Sequence, residues 1–149
     1  MSETPRPASD PNAEVMGRLL QNPPTLLEEG GYGLRVLEVP GRRSGQLRRK
    51  PVGVTVYHGA YYLVSPNRTR DWPNNVLASG GVTLLAGGTR QAYRATLAPA
   101  AEAVPVLRLY LHNVARTAPL FPFAANESDE QITAKLDQVA VFRIDPKAE

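Results

Sequence analysis

The sequence predicts a mainly β fold of the α+β class, a small barrel of about six mostly antiparallel strands with short flanking helices. Three observations predict it. Short apolar or alternating segments recur between Leu34 and Ile144. Neighbouring segments are joined by tight glycine turns, His58-Gly59 and Gly87-Gly88 among them, which favour hairpins. About six short strands fall within roughly 110 residues, with short helices between and after them, which favours a small barrel over an open sheet.

Residues 1–12 carry Pro5, Pro7 and Pro11 with almost nothing apolar, the composition of a disordered tail. Residues 13–149 then read as a single domain with an N-terminal helical segment. Val15, Met16, Leu19 and Leu20 give 13–20 one apolar helical face, and Asn22-Pro23-Pro24 ends it. A further helical turn or two is expected over 24–29, opened by Pro24 and stopped by Gly30-Gly31. Leu34–Val39 is the first strand, and Val52–Tyr57 alternates cleanly as the second. Tyr61–Val64 returns from the His58-Gly59 turn. Asp71 is placed to cap a helix over 72–78, with Pro73 in its first turn and Gly80-Gly81 after it. Strands over 82–86 and 90–97 flank Gly87-Gly88. Val104, Leu107, Leu111 and Val114 mark an amphipathic helix over 99–115, and an irregular Phe-Pro-Phe segment follows over 119–126. Ser128 with Gln131 three residues later has the form of a capping box opening a helix to about Leu136. Val139–Ile144 is the last strand.

Composition removes several chemistries. The chain has 149 residues, no cysteine and only two histidines. Thiolate metal sites, iron–sulfur clusters and thiol nucleophiles are therefore impossible, and a histidine-rich metal site has no donors to spare. No metal is expected. The longest apolar run is far short of the roughly 20 residues that span a bilayer, and no basic segment precedes an apolar stretch at the start. A cytoplasmic setting without an integral membrane segment is the expectation.

The formal net charge of +3 conceals an uneven distribution. No acidic residue lies between Val39 and Arg70, whereas Arg42, Arg43, Arg48, Arg49, Lys50, Arg68 and Arg70 all do. Glu127, Asp129, Glu130 and Asp137 reverse the sign near the C-terminus. Such a window suits an anionic partner, or it is a solvated basic face. The run from Arg42 to Lys50 has no interleaved aromatic residue for base stacking, so nucleic acid is not the expected partner.

Two segments stand out together. Gly41-Arg42-Arg43-Ser44-Gly45 follows a strand, with Arg48 three residues beyond and Pro51 opening the next strand. Val64-Ser65-Pro66 is followed by Trp72, Asn75 and Ala78 on one short helix before a further strand. In this order and spacing the chain resembles the deazaflavin-dependent nitroreductase family, over about Leu34 to Pro146. The resemblance implies a split β-barrel and an oxidoreductase that binds coenzyme F420. Val76, where the family usually has Leu, and the short basic loop between Pro66 and Asp71 depart from its pattern.

The coenzyme has a flat ring, a phosphate and a polyglutamate tail. The resemblance makes Arg43, Ser44 and Arg48 its phosphate or tail contacts, with Lys50 adding charge; the alternative is an exposed arginine hairpin. Arginine suits a phosphate because its guanidinium offers paired donors. Pro51, Val52, Val64, Ser65 and Pro66 would contribute a flat slot for the ring, and Val52 and Val64 can equally be core. Trp72 stands either at the edge of the cofactor site or as a helix anchor. Asn75 is either a cofactor contact or a local hydrogen-bond bracket. No catalytic side chain is singled out, and the tyrosines stay unranked as proton donors. The expected activity is hydride transfer from reduced F420 to a small unsaturated or nitro-bearing organic molecule. An FMN-binding oxidoreductase on the same barrel and a non-enzymatic deazaflavin-storage protein stand as alternatives, with a monomer or homodimer equally compatible.

Overall fold

Alternation along the strands is strongest where one face of the sheet meets an apolar interior, and six such strands close on themselves. A computed structural model describes residues 11–147. The strands are β1 (Tyr32–Pro40), β2 (Leu47–Tyr57), β3 (Ala60–Ser65), β4 (Gly81–Ala86), β5 (Thr89–Leu97) and β6 (Ala140–Pro146). They form a closed barrel in the order β1-β2-β3-β6-β5-β4, with every neighbouring pair antiparallel. Around it lie α1 (Pro11–Gln21), α2 (Asp71–Ser79), α3 (Ala100–Asn113) and α4 (Asp129–Thr133), with single 3₁₀ stretches at Ala115–Leu120 and Leu136–Gln138. No helix among the described residues is long and apolar enough to cross a membrane.

The barrel interior holds one core, built from Leu37, Val39, Val54, Leu63, Leu84 and Phe142 among others. Trp72 and Val76, one turn apart on α2, belong to the same core, so α2 packs its apolar side onto the barrel. A second core lies outside the wall. Tyr62 and Val64 of β3 and Val141 of β6 meet Val106, Leu107 and Leu111 of α3 there. β3 and β6 are thus buried on both faces, which is why Tyr61–Val64 and Val139–Phe142 read as continuous runs rather than alternating ones. Removing a side chain such as Leu107 or Phe142 from water contributes roughly 1.5–3 kcal/mol.

The hairpin turns follow the sequence. His58 (φ +50°) and Gly59 (φ +73°) both take left-handed conformations, and the Glu29 carboxylate accepts their N–H groups at 2.8 and 2.6 Å. Gly80 ends α2 in the left-handed region and donates to the Val76 carbonyl at 2.8 Å. Ser128 and Gln131 form the full capping box at α4.

Elsewhere the structure corrects the sequence reading. Residues 24–29 are not helical. Arg35 of β1 donates to the Thr25 carbonyl at 2.6 Å and to its hydroxyl at 3.3 Å, so the segment is held by the barrel. The N-cap of α2 is Arg70, with no side-chain cap bond, and Asp71 stands inside the first turn. β2 begins at Leu47 rather than Val52, because Leu47, Arg48 and Arg49 pair with Pro40, Val39 and Glu38. The helix after Ser128 stops at Thr133. Helix α1 starts at Pro11, within the segment expected to be tail, and residues 1–10 of that tail lie outside the described residues.

Candidate functional site

The loop between β1 and β2 is closed by its own backbone. Gly41 N–H donates to the Gln46 carbonyl and Gly45 N–H to the Gly41 carbonyl, each at 2.8 Å. Ser44 Oγ accepts the Gln46 N–H at 3.2 Å. Gly45 holds φ at +73°, a value that glycine adopts without a Cβ penalty.

Arg42 then ties this loop to α2. Its backbone N–H and its Nη1 both donate to Asn75 Oδ1, at 3.0 and 2.9 Å. Its guanidinium also reaches the Asp71 carboxylate at 3.4 Å. Asn75 is 5% exposed, so a buried amide oxygen receives both bonds.

Between the tied elements lies a cavity of about 740 Å³, lined by residues 41–44, 48–50, 69–72 and Asn75. Arg43, Arg48, Lys50 and Arg70 line it without a side-chain hydrogen bond or ion pair among the described residues. Arg42 and Arg49 line it as well but are engaged, Arg49 with Glu38 at 2.9 Å. Among the described residues Asp71 is the one acidic residue of this lining, and it is largely exposed. Uncompensated cations around a cavity attract an anion, and each hydrogen bond they make to it contributes about 1.5–3 kcal/mol.

A second cavity, of about 460 Å³, is lined by Pro66, Asn67, Arg68, Thr69, Leu120, Phe121, Pro122, Asp137 and Gln138. Thr69 lines both. The partition at Thr69 is firmly held. Ser65 Oγ donates to the Asn67 carbonyl at 2.9 Å, and Asn67 Oδ1 accepts the Thr69 N–H and hydroxyl at 2.9 and 2.6 Å. Asn74 Nδ2 bonds the Arg68 and Arg70 carbonyls, and Arg68 donates to the carbonyls of Val139 at 2.7 Å and Leu136 at 3.0 Å.

Of the residues singled out in the sequence, the first cavity gathers Arg43, Ser44, Arg48, Lys50, Trp72 and Asn75. Pro66 lines the second. Val52 faces the barrel interior, Val64 faces α3, and Ser65 is fully buried in its turn; Pro51 is half-buried opposite Val36. These four line neither cavity. Trp72 is buried against Phe142, with ring centroids 6.1 Å apart, and its edge still borders the first cavity.

Sequence reasoning passed over Arg70 and the bracing role of Arg42. Both lay in the acid-free window, and the signal for Arg70 was its place beside the expected helix start. No tyrosine or histidine lines either cavity. Burial, a hydrogen bond to Glu102 and that residue's charge push the Tyr62 phenol up to about 12, so it stays neutral and engaged.

Residues 11–136 match the family of the F420H(2)-dependent quinone reductases. No curated protein matches the sequence. Among solved structures, the chain is similar to a domain-swapped dimer at 17% identity and a TM-score of 0.53, covering 75% of this chain and 79% of that one. It is similar to a NimC/NimA family protein from Clostridium acetobutylicum at 16% identity and a TM-score of 0.52, over 88% and 75% of the two chains. A heme binding protein from Mycobacterium smegmatis aligns at 11% identity and a TM-score of 0.54, over 95% and 60%. At these identities the likeness is one of fold.

Proposed function

The chain belongs to the F420H(2)-dependent quinone reductase family, and we propose from that premise that it holds coenzyme F420 in the cationic cavity and reduces a small unsaturated or nitro-bearing organic acceptor. The observation that carries the cofactor assignment is the set of four unengaged cations, Arg43, Arg48, Lys50 and Arg70, around one cavity. The donor set fits the group: a phosphate and several carboxylates need more positive charge than a single phosphate does. That surplus favours the polyanionic deazaflavin over FMN.

Each residue has a part that follows from its place. Arg43, Arg48 and Lys50 would hold phosphate or tail from the β1–β2 side, and Arg70 from the α2 side. Ser44, already accepting the Gln46 N–H, keeps a hydroxyl proton to donate. Arg42 and Asn75 keep the two walls at a fixed spacing, and fixed donors lose less entropy on binding. Trp72 offers a flat edge beside the same space. Pro66 stands beyond Thr69, where the ring would pass toward the second cavity. When bound, the reduced deazaflavin supplies a hydride.

The second cavity is the place for the acceptor. Leu120, Phe121 and Pro122 give it an apolar wall, while Asn67 and Gln138 supply amides for a carbonyl or nitro oxygen. That Thr69 lines both cavities supports a reading in which cofactor and acceptor lie side by side, which would convert a bimolecular encounter into a positioned one. A storage protein has no need of this neighbour. Among the described residues neither lining holds a tyrosine or histidine, so no side chain of those types is assigned as proton donor. The cysteine-free chain is read as working in the cytoplasm.

Titration of purified protein with oxidised F420, followed by the fluorescence of Trp72, tests the assignment. Binding at micromolar or better affinity is expected, with loss in the Arg43→Ala/Arg48→Ala double variant. Absence of any binding by the native protein overturns it, as does a purified protein that carries FMN.

A further inference from the structure

The second cavity carries a charge that the function above does not use. Among the described residues Asp137 is the one acidic residue of its lining, and it belongs to the acidic segment that opposes the basic window in the sequence. It stands in the 3₁₀ turn Leu136–Gln138. Arg68 holds that turn on both sides of it. The Arg68 guanidinium donates to the carbonyls of Leu136 at 3.0 Å and Val139 at 2.7 Å, and the Arg68 backbone N–H donates to the Gln138 carbonyl at 3.0 Å. The backbone that carries the carboxylate is therefore fixed beside the loop from Pro66 to Thr69.

Neither neighbouring cation pairs with Asp137. Arg68, the one basic residue of this lining among the described residues, commits Nε and Nη2 to backbone carbonyls. Lys135, two residues before Asp137, donates its ammonium to the Pro122 carbonyl at 2.8 Å. Asp137 is exposed and makes no hydrogen bond or ion pair among the described residues. The rest of the lining is uncharged, with Leu120, Phe121 and Pro122 as its apolar part. An unpaired carboxylate beside an apolar wall attracts a cation at contact distance and repels an anion. The first cavity has the opposite sign, since its unengaged side chains are Arg43, Arg48, Lys50 and Arg70. The two cavities that share Thr69 therefore differ in the charge they favour.

We propose that Asp137 is a specificity-determining residue, which makes the second cavity select acceptors that carry a positively charged group, such as a quaternary ammonium, over acceptors that carry a carboxylate. This rests on the reading of that cavity as the acceptor's place and adds a charge preference to it. The opposed signs also keep the two ligands apart. The cations of the first cavity draw the polyanionic coenzyme, and Asp137 turns it away from the second.

The test uses nitrobenzenes that differ only in the para substituent, which is trimethylammoniomethyl, hydroxymethyl or carboxylate. Their equilibrium binding to protein loaded with oxidised F420 is measured by calorimetry, and their kcat and KM with reduced F420, for the native protein, Asp137→Asn and Asp137→Lys. Each compound is compared with itself across the proteins, so differences in intrinsic reducibility cancel. The native protein is expected to bind the ammonium compound roughly tenfold more tightly than the carboxylate, and salt should weaken that preference. Asp137→Asn should lose most of the preference and Asp137→Lys should reverse it, with the change in KM rather than kcat. If the native protein shows no preference, or both variants keep it, charge selection is overturned while the acceptor reading stands. If the native protein prefers the ammonium compound in binding but reduces none of them, the carboxylate still recognises a cation, and the acceptor reading of the cavity falls. If none binds, both readings fall.

Discussion

Asn75 Oδ1 accepts two hydrogen bonds from Arg42, one from its backbone N–H and one from its guanidinium. One buried oxygen therefore sets the distance between the β1–β2 loop and α2, the two walls of the cationic cavity. Asn75→Ala leaves both donors of Arg42 without this acceptor. The expected cost is about 1–3 kcal/mol in stability, with weaker cofactor binding because the loop must then be ordered on binding. Thermal unfolding and F420 titration check both. Asn75→Asp keeps the acceptor but adds negative charge beside the cavity, so it should fold well and bind the anionic coenzyme less tightly.

Arg68 and Arg70 are two residues apart in one loop and are expected to behave oppositely. Arg68 donates to the carbonyls of Val139 and Leu136, which joins the loop to the start of β6. Arg68→Ala should lower the unfolding midpoint, by about 1–3 kcal/mol of stability, and change F420 affinity little. Arg70 has no side-chain hydrogen bond or ion pair among the described residues and faces the cavity. Arg70→Ala should unfold like the native protein and bind F420 about tenfold more weakly, with a shallower salt dependence. A common loss of stability in both variants would remove Arg70 from the site.

These residues show where the sequence was legible. The turn at His58-Gly59, the capping box at Ser128 and the glycine stop at Gly80 are local devices, each set by residues a few positions apart, and they were readable. The antiparallel barrel followed from short strands joined by tight turns. What was hidden depends on distant partners. Nothing near Thr25 announces that Arg35 holds its segment out of a helix. Nothing near Arg48 announces that β1 extends the ladder through the basic run. Basic residues in the acid-free window predicted an anion site, but the sequence treats Arg42, Arg49 and Arg70 alike. Only the fold separates a brace, an ion-pair member and an unengaged cation. Val52 and Val64 were grouped because they lie on facing strands, yet they point into different cores.

Gly53 is a second long-range dependence. A Cβ there would stand 1.9 Å from Tyr32 Cε2 and 2.2 Å from its hydroxyl oxygen, because the Tyr32 ring lies across the glycine. That ring also meets Tyr110 edge-on, with centroids 5.9 Å apart. Gly53→Ala should displace Tyr32 and cost about 1–3 kcal/mol. In a Tyr32→Leu background the same change should cost much less, since the clash is gone. A double-mutant cycle on urea midpoints reads this coupling directly.

The pH dependence of stability should have two limbs with separate origins. At the acid end, burial alone would raise the Glu38 carboxyl, but hydrogen bonds from Arg90 and Arg49 outweigh it and hold the group below its ordinary 4.5. A depressed carboxyl contributes stability above the unfolded value and loses it as pH falls through the folded one. Glu38→Gln should therefore flatten the profile below pH 4.5. At the alkaline end, burial and the bond to Glu102 raise the Tyr62 phenol from 10.0 to about 12. Below pH 10 its contribution is complete; above that, the unfolded chain ionises first, and stability falls until the folded phenol also titrates near pH 12. Tyr62→Phe should shrink this limb without abolishing it, because burial holds Tyr32 at about 12 as well. Urea unfolding across the pH range measures both limbs, and an unchanged alkaline slope in Tyr62→Phe would locate the effect in Tyr32, Tyr93 and Tyr110, whose phenols burial also raises.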